Sequence, residues 1–303
     1  MAPQQTVAVR RRALVNLLLA ALVLALALLL VLTGPQPREE KQPSLTGISP
    51  AQVAHIRIER ADADSIDFER DTSGWRLTAP VTARAHPARI NGVLGLLGEE
   101  VYARFPAAPD ALRRFGLSQP QVIVRLDQHR FAFGDINPLD EHRYVLYGDT
   151  VHLIGDSLFF QLTQDPGFFI DNRLLEDAVR PRRVRYAERT LTFTDGSWKS
   201  EPESGLGADT VRNSALAWET ARAITVRTFD DRPTTASVGI DTEQGETITF
   251  DIVETAPAVV LARRDLGIQY HLDAHTAKQL LLLQPGKTGA GPDTAGADSS
   301  THQ

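Results

Sequence analysis

Gly155-Asp156-Ser157-Leu158 is the stretch of this chain most suggestive of catalysis. A serine set just after a strand can attack an ester when an Asp-x-x-His pair and oxyanion donors stand nearby. The surrounding residues argue against that chemistry. The motif lies mid-chain, and the only Asp-x-x-His pair, Asp149 to His152, precedes the serine on the strand leading to it. No Gly-x-Asn-Asp block supplies oxyanion donors. The stretch reads as a polar helix start, with Asp156 or Ser157 as N-cap.

The other candidates are weaker still. His271 and His275, four apart with Asp273 between them, would share one face of a helix and could then ligate a metal. The internal repeat described below instead places His271 in a strand and His275 at a helix start, which separates them. Asp140, Glu141 and His142 follow Pro138 and read as a solvated hairpin loop. Glu99-Glu100 and Asp230-Asp231 are adjacent in sequence, so each pair points its carboxylates in different directions. A glycosidase needs carboxylates that face each other across a cleft. There is no cysteine, no phosphate loop and no dinucleotide-binding glycine pattern. No catalytic, cofactor-binding or metal-ligating residue is assigned, no cofactor is expected, and the chain reads as a non-enzyme.

The elements that carry these residues begin with an apolar run. Residues 13–32, ALVNLLLAALVLALALLLVL, contain one polar residue, Asn16, and follow Arg10, Arg11 and Arg12. As a helix rising about 1.5 Å per residue, twenty such residues match the roughly 30 Å hydrocarbon thickness of a bilayer. Two other readings compete with a retained anchor. A cleaved signal would have a shorter apolar core and a small-x-small cleavage site, where Leu32-Thr33-Gly34-Pro35 stands here. A buried soluble helix would have to bury an all-apolar surface. Three arginines before the run, and a flank of zero net charge from Arg38 to Lys41 after it, predict a cytoplasmic N-terminus of residues 1–12. The rest is then expected outside a bacterial inner membrane, in the periplasm. Absence of cysteine excludes a lipid-modified start and is compatible with that compartment.

Beyond Leu32 the chain holds 29 basic and 38 acidic residues, which argues against a nucleic-acid partner. Residues 33–50 include Pro35, Pro37, Pro43 and Pro50 and read as a semi-extended tether. Residues 285–303 contain no aliphatic side chain larger than alanine and read as a disordered tail.

Between tether and tail the sequence repeats a pattern. VAHIRIERADADSIDFERDTSGWRLTAP from Val53 and RVRYAERTLTFTDGSWKSEP from Arg183 each give two alternating strands, an acidic-Gly turn, a tryptophan and a proline. Trp75 matches Trp198 and Pro80 matches Pro202, and both tryptophans read as core or turn-packing residues. A helical pattern follows in each copy, through Ile90, Val93, Leu94, Leu97 and Val101 in one. In the other it runs through Val211, Ala215 and Trp218, with Asp209 as N-cap. Then VIVRLD, RFAFGD, RYVLYG and TVHLIG answer ASVGID, ETITFD, AVVLAR and IQYHLD, and each copy closes on a short helix. The fold expected is α+β: a transmembrane helix, then two tandem, similar, mostly antiparallel β-rich modules, at 51–175 and 182–284. The alternative is two unrelated antiparallel domains sharing a Trp-Pro turn.

The set GWRLTAP, FGLSQP (Phe115–Pro120), FAFGD, RYVLY and VHLIGDS resembles the domain-of-unknown-function family 4340. FFIDNRLLEDAVRPRRVRY, Phe168 to Tyr186, resembles the arginine-containing bridge between that family's halves. The second copy reads TFDDRPTTA where the first has FGLSQP, so any role tied to that turn belongs to the first half. The resemblance implies a single-span exported protein, often encoded beside gliding-type ABC exporter subunits, and it supplies no catalytic residues. Three functional readings follow. The first is a membrane-anchored periplasmic accessory protein of an ABC-type exporter or other envelope complex, held to the inner membrane by residues 13–32. The second is a periplasmic module that captures a glycan or small molecule between its repeats. The third is a hydrolase using Ser157.

Overall fold

The structure, a computed structural model, describes residues 16–29, 43–203 and 205–281. Residues 1–15, most of the tether and the tail lie outside the described residues. The chain divides into two units, one ending at Pro43 and the other beginning at Ser44.

In the first unit, residues 16–29 form helix α1, and every described side chain on it is exposed. Among the described residues no helix is long and apolar enough to cross a membrane. Helix α1 lies within the 13–32 run, whose two ends fall outside the described residues.

The second unit is built on two antiparallel sheets. Sheet one contains β1 (His55–Arg60), β2 (Ala63–Asp71), β3 (Gly74–Ala79), β4 (Ala83–Arg84), β5 (Val101–Pro106), β6 (Val122–Leu126), β7 (His129–Ile136), β8 (Arg143–Tyr147) and β9 (Thr150–Ile154). Its spatial order is β4-β3-β2-β1-β6-β7-β8-β9-β5. Sheet two contains β10 (Pro181–Arg185), β11 (Thr190–Thr194), β12 (Ser197–Glu201), β13 (Thr225–Thr228), β14 (Ala236–Thr242), β15 (Thr247–Glu254), β16 (Val259–Arg263) and β17 (Ile268–Leu272). Its order is β12-β11-β10-β14-β15-β16-β17-β13. Apart from β4, the two orders coincide strand for strand, so the chain carries two β-rich modules of one topology.

Period-two alternation sets the buried face. On β1, Ile56 and Ile58 lie opposite Phe68 and Ile66 of β2 on one side and Leu126 and Val124 of β6 on the other. All six are buried. Each such side chain contributes roughly 1.5–3 kcal/mol on burial. Trp198 packs into the core of module two, and Trp75 packs at the edge of the core of module one under the Arg70 guanidinium. In the β11–β12 hairpin, Asp195 (φ 53°) and Gly196 (φ 76°) hold the left-handed pair that a two-residue hairpin turn requires.

Helices cover the buried faces: α2 (Pro87–Gly95), α3 (Pro109–Arg114) and α4 (Phe159–Leu162) in module one, α5 (Ala208–Thr220) and α6 (Ala274–Leu281) in module two. Ile90, Val93 and Leu94 are the buried face of α2; Val211, Ala215 and Trp218 belong to that of α5. Three boundaries differ from the sequence reading. The first helix ends at Gly95 and passes through a tighter turn at Leu96–Gly98, so Val101 starts β5. The N-cap of α5 is Gly207, and Asp209 sits inside the first turn. There its carboxylate favours the helix dipole without capping an amide. The N-cap of α4 is Leu158, with no side-chain cap, because Asp156 is held by Arg143 instead.

One hydrophobic cluster runs through both modules, so they share a core. A second, smaller cluster lies around Phe115, Leu117, Ala132 and Val151, with Ala111 and Leu112 of α3 packed against it.

Candidate functional site

The sequence-derived candidates do not assemble into a reactive centre. Ser157 is exposed, and among the described residues no hydrogen bond joins it to a histidine. Its neighbour Asp156 pairs with the buried Arg143, whose guanidinium also donates to the Gly134 carbonyl and lies over the Phe159 ring. His152 is buried on β9, opposite Arg104 of β5, and its Nδ1 has no hydrogen-bond partner among the described residues. Burial first and Arg104 second hold its pKa below the ordinary imidazole value. His271 lies on β17 and His275 in the first turn of α6, where Asp273 accepts from the amides of His275 and Thr276. Among the described residues no group of His, Cys, Asp and Glu is placed to hold a metal ion.

The acidic pairs diverge. Asp230 bonds Arg232 while Asp231 bonds Arg264. Glu99 is half-buried, which raises its pKa, with a smaller contribution from the adjacent, exposed Glu100. Asp140 accepts from the amide of His142, whose ring stacks on Tyr102 at 3.8 Å.

The family-like motifs have structural roles instead. Helix α3 is closed by Gly116 (φ 70°), the residue after its C-cap Phe115, with Leu117 N–H donating to Leu112 C=O at 2.8 Å and Gly116 N–H to Arg113 C=O at 3.3 Å. That is a Schellman C-cap, and Leu112 packs against the apolar cluster that contains Leu117. The Phe115 carbonyl then accepts from the Asp135 amide at 2.9 Å. Its approach requires glycine at 134, where a Cβ would stand 2.2 Å from that oxygen. FGLSQP and FAFGD are therefore two halves of one contact.

The polar site of most interest lies where the modules meet. The bridge segment bonds to both of them. Ahead of it, His86 N–H donates to Phe169 C=O and Asp171 N–H to Arg84 C=O. Beyond it, Leu174 N–H donates to Ala221 C=O and Ala223 N–H to Asn172 C=O. Gly167 lies so close to β13 that a Cβ would meet the Val226 carbonyl at 2.2 Å. At the centre Asp171, 6% exposed, accepts from Nε and Nη2 of Arg173, at 3.0 and 2.6 Å to the same carboxylate oxygen. Arg173 also reaches Asp177. Burial alone would raise the Asp171 pKa. Hydrogen bonds and charge from Arg173, helped by Arg84, outweigh it and hold the carboxyl below its ordinary value.

Beside this pair opens a cleft of about 240 Å³. Arg76 and Arg84 reach it from module one, Asp171 and Glu176 from the bridge, and Glu246 and Tyr270 from module two. Its charges fall into two groups. Arg173 is saturated by Asp171 and Asp177, and Arg263 is held by both oxygens of Asp265 at 2.9 and 2.7 Å. Arg76 and Arg84, by contrast, stand 3.6 and 3.8 Å from their nearest carboxylates, Asp71 and Asp171. Tyr270 is 4% exposed and its hydroxyl makes no hydrogen bond to the described residues. Burial pushes its pKa up; among the smaller effects, Arg263 opposes the rise while Asp171, Asp265 and Glu176 add to it. Sequence reasoning singled out the bridge but not this cleft. The available signal was an acid and an arginine two residues apart, Asp171 and Arg173, set among Ile170, Leu174 and Leu175.

Comparison with known proteins adds one finding. The model of a family described as Domain of unknown function (DUF4340) matches residues 75–223. No curated protein matches, and no solved structure matches.

Proposed function

Since residues 75–223 belong to the DUF4340 family, we propose that the chain is a membrane-anchored, non-enzymatic protein of the bacterial envelope. In this reading it works outside the inner membrane as an accessory to an ABC-type exporter or other envelope complex. The observation that carries the proposal is helix α1, an apolar helix with every described side chain exposed, including Leu17 at 72% and Leu24 at 71%. A helix apolar on all sides has no face suited to water, and lipid or a partner helix is its natural surrounding. Residues 13–32 around it supply the length for a span, and Arg10–Arg12 set a cytoplasmic start.

Two measurements test this. The cysteine-free sequence makes Thr72→Cys, at an exposed turn position, a single reporter thiol. It should react with a membrane-impermeant maleimide on intact spheroplasts, and protection until lysis would overturn the orientation. Affinity purification of the full chain in mild detergent should recover exporter subunits. Recovery of the chain alone counts against the accessory role.

The cleft between the modules favours a second reading, capture of a small molecule. Polar groups from both modules and the bridge converge there over an apolar floor, the composition typical of ligand pockets.

A further inference from the structure

The inter-module cleft carries charges of both signs that have no close protein partner among the described residues. Charge-assisted hydrogen bonds run at about 2.7–2.9 Å. Arg76 and Arg84 miss that range by most of an ångström, although both line the cavity. Glu176 and Glu246 also line it from exposed positions, and neither carboxylate makes a hydrogen bond or ion pair with the described residues. Tyr270, 4% exposed as a residue, also lines it, and its hydroxyl makes no hydrogen bond to the described residues. The remaining wall is aliphatic, through Leu174, Ile248 and Leu266.

We propose that this cleft binds a small zwitterion, an α-amino acid or dipeptide carrying a free ammonium and a free carboxylate. The ligand carboxylate lies against Arg84 and Arg76, the ammonium against Glu176 and Glu246, and the Tyr270 hydroxyl serves a ligand carbonyl or carboxylate oxygen. A simple anion would leave the two glutamates unanswered, and a simple cation would leave the two arginines so. Size sets the upper limit: about 240 Å³ is below the roughly 300–1,000 Å³ of pockets for drug-sized ligands. Because the lining comes from both modules, occupancy also bridges them. The inference rests on the small-molecule reading above and is independent of any exporter partner.

The test is calorimetric titration of the full chain in mild detergent with L-alanyl-L-leucine, its N-acetyl form, its C-terminal amide and 4-methylpentanoate, an acid without the amine. Binding of the free dipeptide, weakened at least tenfold by blocking either end, is the expected result. Arg84→Gln, at a side chain already 29% exposed, should abolish the preference for a free carboxylate. Glu176→Gln should abolish the preference for a free ammonium. Tyr270→Phe should weaken binding while leaving the thermal melt unchanged. Equal binding of the blocked and free dipeptides, or of 4-methylpentanoate and the dipeptide, would overturn the zwitterion but leave the cleft as a ligand site. No heat or protection from any of these probes at millimolar concentration, with a normal melt, overturns the zwitterion and counts against the small-molecule reading. Exporter co-recovery is unaffected by either outcome.

Discussion

Replacing Asp171 by alanine is the most direct test of how the modules are joined. The carboxylate side chain is 8% exposed, and Arg173 beside it is 15% exposed. Removing one partner of a buried ion pair typically costs about 3–5 kcal/mol, because the other charge stays buried without compensation. Arg173 retains Asp177, which places the expected loss at the lower end, about 3 kcal/mol. For a body of this size each kcal/mol corresponds to roughly 2–4 °C, so Tm should fall by about 6–12 °C. The assay is a thermal melt of the full chain in mild detergent, followed by tryptophan fluorescence. Trp75 reports on module one, and Trp198 and Trp218 on module two. Both modules should melt together, since one core runs through them. The double variant Asp171→Ala/Arg173→Met removes both charges and should recover part of the loss. Acid weakens the difference between wild type and Asp171→Ala. The folded pKa of Asp171 is depressed, so its stabilisation is complete above the unfolded value of about 3.9 and fades as pH falls through the folded one. A Tm for Asp171→Ala within 2 °C of wild type at pH 7 would refute the reasoning.

Other perturbations follow from the same geometry. Gly134→Ala drives a Cβ into the Phe115 carbonyl at 2.2 Å and should cost about 1–3 kcal/mol by urea titration. Gly95→Ala, which meets nothing within 4 Å in a helical backbone, should instead stabilise by up to about 1 kcal/mol. Glu99→Gln should raise Tm at pH 7 and make no difference near pH 3. The folded Glu99 pKa is raised by burial and then by Glu100, so its penalty appears as pH rises through the unfolded value near 4.3. His152 and His271 are both shifted down, chiefly by burial and then by nearby arginines. Stability should therefore be full above pH about 6.5 and decline below it, where the unfolded chain takes up protons first. His152→Gln should flatten that decline between pH 7 and 5.

Much of the fold was legible because alternation is a strong local signal. The four-strand runs after each helix are where VIVRLD to TVHLIG and ASVGID to IQYHLD placed them. Ile56, Ile58, Ile66 and Phe68 face the core because period-two spacing leaves them no other choice. Helix ends were less legible. Val101 continues the apolar spacing of α2, but the helix ends at Gly95 and the chain passes through the tighter turn at Leu96–Gly98 into β5 first. Asp156 has the right residue type for a cap, yet a charge-assisted bond to Arg143, thirteen residues away, competes successfully for it. The cleft was illegible for a plainer reason. Arg84, Asp171 and Tyr270 belong to three distant segments, and only tertiary packing brings them to one cavity.

The shared strand order has a kinetic consequence. In each module two meanders, β1-β2-β3 with β6-β7-β8-β9 and β10-β11-β12 with β14-β15-β16-β17, can form as sequential hairpins, each on a timescale of about 1–10 μs. Joining them requires β1 to find β6 across α2, β5 and α3, and β10 to find β14 across α5 and β13. Loop closure over those stretches must precede the contacts that reward it, which makes these two pairings the slow events in folding. Until they occur, β1 and β10 each present an unpaired edge rich in aliphatic or basic side chains. A nascent chain would carry that open edge longer in module one, where more residues separate β1 from β6 than separate β10 from β14.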